Sequence, residues 1–188
     1  MSVYLASTSP RRKELLSQLL SDFVPVSPQV EEKEYPHLTP KEKAVRLSKD
    51  KCIGAVNLLR EKGMVVIASD TVVDLDGKVL EKPADRQQAV NMITALSGKK
   101  HYVYSAVTVY KDGRIYTFCD ETAVCFDTVP ADVIQRYADT AEPYDKAGGY
   151  AIQGFMGRYI PKIDGSYSNV VGLPVEKLKK LLIFLDIM

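Results

Sequence analysis

Apolar positions in this chain fall into short continuous runs separated by helical stripes. Val3-Tyr4-Leu5-Ala6 is one such run and predicts a buried strand. Ser9 at a cap position and Pro10 behind it predict a helix to about Leu20, with Leu15, Leu16, Leu19 and Leu20 on its inner face. Residues 23–27 predict a second short strand, followed by a polar, acidic connection through Glu31, Glu32 and Glu34. Thr39-Pro40 opens a long helix to about Glu61, with Gly63 as its stop. Residues 64–69 predict a central strand, and residues 72–80 a hairpin turning at Asp76-Gly77. Asp85 caps a helix to about Leu96, ended by Ser97-Gly98. Residues 101–110 and 114–126 predict a longer hairpin turning at Asp112-Gly113. A short helix over 130–138, a glycine-bearing loop over 142–150, a last strand over 159–163 and a helix opened by Pro174 complete the pattern. Hairpins interleaved with helices predict an α/β fold with a mixed sheet rather than a purely parallel one. No internal repeat, low-complexity tract or linker divides the 188 residues, so one domain spanning 1–188 is expected.

Composition narrows the partners. Lys and Arg number 25 against 24 Asp and Glu, a net charge of +1 that offers no footprint for duplex nucleic acid. A small anionic ligand needs only a few local cations and stays open. Cys52, Cys119 and Cys125 are odd in number and lack CxxC spacing, which predicts buried free thiols in a reducing compartment. The N-terminus has no basic segment followed by a long apolar stretch, and the longest apolar runs are too short to span a bilayer. No membrane partner is therefore expected, and a cytoplasmic protein is.

Candidate chemistry emerges where the chain breaks its own local pattern. Arg11, Arg12 and Lys13 fill the first turn of the first helix, where the helix dipole disfavours cations unless an anion sits in front of them. Free N–H groups at a helix start, hydroxyls at Ser7, Thr8 and Ser9, and guanidinium forks suit a phosphate; a solvated basic patch is the alternative. Lys51 interrupts an apolar stripe formed by Ala44, Leu47, Ala55 and Leu58, as a snorkelling lysine or as one projecting into a cleft. Asp70 ends the run 64–68, either as a carboxylate at the carboxyl end of a central strand, where α/β folds place chemistry, or as a strand breaker at a turn. Glu31 and Glu32 could join Asp70 in holding a hard divalent cation. With only His37 and His101 present, a histidine-rich metal site or a Ser-His-Asp triad is not expected, and neither a Walker A sequence nor GxGxxG is found.

In order along the chain stand Leu5-Ala6-Ser7-Thr8-Ser9-Pro10-Arg11-Arg12, Val30-Glu31-Glu32, Ala68-Ser69-Asp70-Thr71-Val72-Val73 and Leu80-Glu81-Lys82-Pro83. Leu96-Ser97-Gly98, Asp145-Lys146-Ala147-Gly148-Gly149-Tyr150-Ala151-Ile152-Gln153-Gly154 and Val171-Gly172-Leu173-Pro174 follow. Together these segments resemble the Maf family of nucleoside triphosphate pyrophosphatases, nearly end to end. The resemblance implies an elongated α/β fold with a mixed sheet, flanking helices and two lobes around a central cleft, like that of inosine triphosphate pyrophosphatases. It implies hydrolysis between the α and β phosphates to a monophosphate and pyrophosphate, with a divalent cation, Mg²⁺ or Mn²⁺, held by Glu32 and Asp70. Asp70 matches the family's catalytic carboxylate, and Ser7, Arg12, Glu32, Lys51, Lys82 and Gln153 match its other active-site positions. Arg11, Thr71 and Gln153 match the dTTP/UTP subgroup rather than the 7-methyl-GTP subgroup. Cys52, Gly149 and Asn169 depart from the common residues without removing a charge. The resemblance also implies a homodimer, and it leaves two other roles open: a non-catalytic nucleotide-sensing regulator of septum formation, and a house-cleaning enzyme for modified pyrimidine nucleotides.

Overall fold

In the computed structural model, residues 1–28, 30 and 35–188 are described. Strand β1 (Val3–Ala6) leads into helix α1 (Pro10–Ser17), strand β2 (Val24–Val26) and the long helix α2 (Pro40–Leu59). Strands β3 (Val65–Leu75) and β4 (Lys78–Leu80), helix α3 (Arg86–Leu96), and strands β5 (Lys100–Lys111) and β6 (Arg114–Cys125) follow. Helix α4 (Ala131–Ala138), strand β7 (Lys162–Asp164) and helices α5 (Tyr167–Val171) and α6 (Val175–Phe184) complete the chain, with 3₁₀ turns at Glu142–Asp145, Ala147–Gly149 and Phe155–Tyr159 between α4 and β7. Among the described residues, seven strands form one mixed sheet in the order β2-β1-β3-β5-β6-β7, with β4 added beside β3. The expected fold class, a mixed sheet with flanking helices, is borne out.

Local chemistry explains most boundaries. Thr39 and Glu42 form a reciprocal capping box at α2, and Asp85 Oδ1 accepts the Gln88 N–H at 2.8 Å to start α3. Both hairpins turn on Asp-Gly pairs in which both residues take positive φ, the conformation a tight two-residue hairpin turn requires. The structure also corrects several expectations. Helix α1 ends at Ser17, although the Leu19 and Leu20 N–H groups still bond to the Leu16 carbonyl. Ser9 makes no side-chain cap; its own N–H is instead held by Ser7 Oγ at 3.2 Å. Helix α5 follows a short strand so closely that no periodic pattern announces it. Cys52 is buried as expected, but Cys119 and Cys125 are only half-buried.

Strand β3 differs most from expectation. Its pairing with β5 runs unbroken from Val65 to Asp74, so Asp70 lies mid-strand rather than at a strand end. The β-branched Thr71, Val72 and Val73 continue the ladder past the charge. What does end near Asp70 is the neighbouring strand: β1 pairs with β3 only as far as Ala6 opposite Ala68.

The core is divided along this sheet. One cluster joins Leu5, Leu16, Ile67, Val107, Leu178 and Leu182 beneath α1 and α6. Another joins Tyr4, Ala6, Cys52, Ala55 and Val66 beneath α2. A third gathers Val73, Ile93, Leu96, Phe126, Tyr137 and Met156 around α3 and α4. All three clusters take residues from the long strand β3. No helix among the described residues is long and apolar enough to cross a membrane.

The third cluster contains a titratable group. His101 is 1% exposed, and its Nε2 lies 2.6 Å from the Tyr150 hydroxyl. Burial lowers its pKa from the ordinary 6.5 to about 4. The folded protein therefore keeps His101 neutral at pH values where the unfolded chain binds a proton. Stability is full above pH 6.5 and falls as pH drops from there towards 4. The loss from this group should reach about 3 kcal/mol. Urea unfolding at neutral pH and near pH 4 should show a component of this size in the wild type that disappears in His101→Gln.

Candidate active site

One edge of β3 carries two strands with a gap between them. β1 pairs with Val65 to Ala68, and β4 with Val73 to Leu75, while β5 takes the opposite edge over the whole interval. Residues 69–72 therefore have no strand beside them on the first edge. Successive side chains on a strand point to opposite faces, so Asp70 and Thr71 flank this gap from either side. A cleft of about 430 Å³ opens there, between the loop after β1 and the loop after α4.

The cleft collects what the chain keeps far apart. Ser7, Arg11, Arg12, Lys51, Asp70, Thr71, Lys82 and Gln153 all line it. Glu32, the other expected metal ligand, and its neighbour Glu31 lie outside the described residues. Among the described residues, five basic side chains, with Lys146 as the fifth, face two carboxylates, Asp70 and Asp145, in the cleft wall. Lys51, which interrupts the apolar stripe of α2, does project into the cleft and forms an ion pair with Asp70 Oδ1.

The cations are crowded and partly stripped of water. Burial lowers the Lys51 pKa, against the pull of Asp70, and the like charges of Arg12 and Lys82 push the same way as burial. Burial also lowers the Arg12 pKa; Asp70 opposes this and Arg11 adds to it. An arriving polyanion would relieve this repulsion. Arg11 Nη1 sits 3.4 Å from Asp145 Oδ2 across the cleft. Asp145 is also paired with Lys146, and although its partial burial acts the other way, these cations hold its carboxyl below the usual range.

Arg12 is fixed from behind. Its Nε donates to the Gly172 carbonyl at 3.0 Å and its Nη2 to Thr71 Oγ1 at 3.1 Å. Apolar side chains of Val73, Val103, Ala147, Tyr150, Ile152 and Val170 also line the cleft. Gly148 lets the segment 147–150 approach β3. It adopts φ +72°, and a Cβ there would stand 3.0 Å from Val73 Cγ1. Gln153 is exposed at the rim. Its segment is tied down by Glu142, whose carboxylate accepts the Phe155 N–H at 3.1 and 3.2 Å.

Residue-by-residue reading did not single out Asp145, Lys146 or Tyr150, although all three stand in the glycine-bearing segment. Nor could it single out the Gly172 carbonyl, because a backbone acceptor leaves no mark on residue identity. Among the described residues no group of three His, Cys, Asp or Glu side chains is placed to hold a metal. Among the described residues the cleft offers two carboxylates beside its cations, Asp70 with Lys51 and Asp145 with Arg11 and Lys146. That donor set fits a magnesium-like ion, which commonly takes only one or two protein carboxylates and completes its shell with water and substrate phosphates.

Known proteins match the chain over nearly its whole length. A protein named dTTP/UTP pyrophosphatase from Aliivibrio fischeri is 46% identical over 183 residues, covering 96% of each chain. Another of the same name from Carboxydothermus hydrogenoformans is 44% identical over 180 residues, covering 95% of each. The solved structure of the Staphylococcus aureus Ham1 protein superposes over 99% of this chain and 98% of its own with a TM-score of 0.57 at 15% identity, a likeness of fold alone. The profile of the Maf-like proteins matches residues 2–184. With the match running from the first strand to the last helix, the chain belongs to the Maf-like protein family.

Proposed function

We propose that the cleft hydrolyses dTTP and UTP to the nucleoside monophosphate and pyrophosphate. The observation that carries this reading is the Lys51–Asp70 ion pair set among Arg11, Arg12 and Lys82 in one cleft. Transfer at phosphorus depends on positioning and charge neutralisation more than on covalent catalysis by the protein. In this reading Arg11, Arg12, Lys51 and Lys82 receive the triphosphate, and Ser7 contributes at the loop after β1. Lys51 occupies Oδ1 of Asp70, leaving Oδ2 to orient a water and take its proton as that water attacks the α-phosphorus. Pyrophosphate departs against the cations. Asp70 and Glu32 would hold Mg²⁺ or Mn²⁺, which when bound supplies charge neutralisation and makes water easier to deprotonate.

Base choice is assigned to Arg11, Thr71 and Gln153. The Gln153 amide offers both a donor and an acceptor, as the edge of a pyrimidine requires, and Thr71 adds an acceptor lone pair. Two relatives named dTTP/UTP pyrophosphatase support this choice. A homodimer, a cytoplasmic setting and a house-cleaning role towards modified pyrimidine nucleotides complete the proposal.

A panel of nucleoside triphosphates with pyrophosphate detection, run with Mg²⁺ and with Mn²⁺, tests it. dTTP and UTP should exceed purine triphosphates in kcat/KM by about tenfold or more. Higher kcat/KM for GTP or 7-methyl-GTP would overturn the base assignment. Saturable nucleotide binding without pyrophosphate release would overturn the enzyme and favour a sensor.

A further inference from the structure

We propose that Ser105 is a positioning residue for Arg12, acting through the hydroxyl of Thr71. The inference rests on the reading of the cleft as a triphosphate site, and it gives Thr71 work besides base choice. Thr71 and Ser105 are register partners across β3 and β5. Their hydroxyl oxygens lie 2.8 Å apart, and Ser105 is wholly buried.

The direction of this bond follows from what surrounds it. Ser105 Oγ donates its single proton to the Asn169 backbone carbonyl at 2.8 Å, and that oxygen can only accept. Ser105 must therefore accept from Thr71. The Thr71 proton is thereby turned towards Ser105, and a Thr71 lone pair faces Arg12 Nη2 at 3.1 Å. The Gly172 carbonyl, 3.5 Å from Thr71 Oγ1, is already occupied by Arg12 Nε at 3.0 Å and Ser69 Oγ at 2.9 Å.

The far end of this chain is rigid. Asn169 is fully buried, with Oδ1 accepting the Ser105 N–H at 3.1 Å and Nδ2 donating to the Val103 carbonyl at 3.0 Å and to Thr122 Oγ1 at 2.8 Å. A fixed carbonyl thus orients Ser105, Ser105 orients Thr71, and Thr71 with Gly172 locks one edge of the Arg12 guanidinium. Nη1, which makes no hydrogen bond among the described residues, is left for a phosphate. Pre-set orientation of this kind lowers the cost of binding.

The experiment uses inorganic tripolyphosphate as a competitive inhibitor of dTTP hydrolysis, because it carries phosphates and no base. Ser105→Ala frees the Thr71 hydroxyl to rotate, and Thr71→Val removes it. Each should weaken tripolyphosphate inhibition and raise the KM for dTTP by about tenfold, the size of one hydrogen bond to a charged group, with a smaller change in kcat. In an Arg12→Ala background neither should weaken tripolyphosphate inhibition further. If Ser105→Ala does not fold, Thr71→Val at the cleft wall carries the same test. Unchanged tripolyphosphate inhibition in these variants, or losses that multiply with Arg12→Ala, would overturn the relay while leaving the site reading intact. An Arg12→Ala variant that binds tripolyphosphate normally would instead overturn the phosphate role of Arg12, and the relay with it.

Discussion

Asp70→Asn should lower kcat for dTTP hydrolysis about a thousandfold, within the range contributed by a positioned general base. The amide keeps the shape of the carboxylate and can still accept from Lys51 through its oxygen, but it cannot take a proton from water. The fold should survive. Asp70 is held by the ladder between β3 and β5 on both sides of it, and those backbone bonds do not depend on the charge. Removing the negative charge of Asp70 beside Lys51 and Arg12 leaves those cations less well compensated, so Tm should fall by a few degrees without loss of cooperativity. Circular dichroism, thermal unfolding and single-turnover pyrophosphate release on the same preparation check both halves. A variant within tenfold of wild type would remove Asp70 from the role of base.

Gly157→Ala should be the most damaging single-methyl change near the site. A Cβ on Gly157 would lie 2.1 Å from the Ile152 carbonyl oxygen and 3.1 Å from its carbon. These are backbone atoms and cannot swing aside as a side chain would. Either the 3₁₀ turn Phe155–Tyr159 moves or segment 151–154 does. The turn is anchored by Met156, which is fully buried, and by the Tyr159 carbonyl, which accepts the Asp127 N–H at 2.8 Å. The strain should therefore pass partly into segment 151–154 and displace Gln153. Overpacking of this kind costs about 1–3 kcal/mol, or a Tm loss of several degrees for a chain of this length. KM for dTTP should rise alongside. An unchanged Tm and KM would show that the segment relaxes freely and that Gln153 needs no fixed position.

The two variants probe different kinds of information in the chain. The capping box at Thr39, the cap at Asp85 and the Asp-Gly turns could be read directly because each is satisfied within a few residues. The length of β3 could not. Whether Asp70 breaks a strand depends on β5, which supplies a partner for every residue to Asp74. Helix α5 is a related case: Ser166 Oγ caps it locally by accepting the Asn169 N–H at 3.2 Å, but the five-residue helix is placed by the Asn169 side chain, which β5 and β6 hold.

The site divides in the same way. Cations in the first turn of α1, a lysine in an apolar stripe and a carboxylate after an apolar run were visible as local contradictions, and such contradictions mark groups held in place by something distant. Their meeting was not visible. Arg12, Lys51 and Asp70 come from three elements, and only the early end of β1 beside a continuing β3 opens the gap where they converge. The anion-binding character of the opening segment was therefore local, written in residue types and helix polarity. The direction of the Arg12 fork was not, because the Gly172 carbonyl and the Thr71–Ser105 register that set it exist only once the sheet has formed and α5 has packed against it.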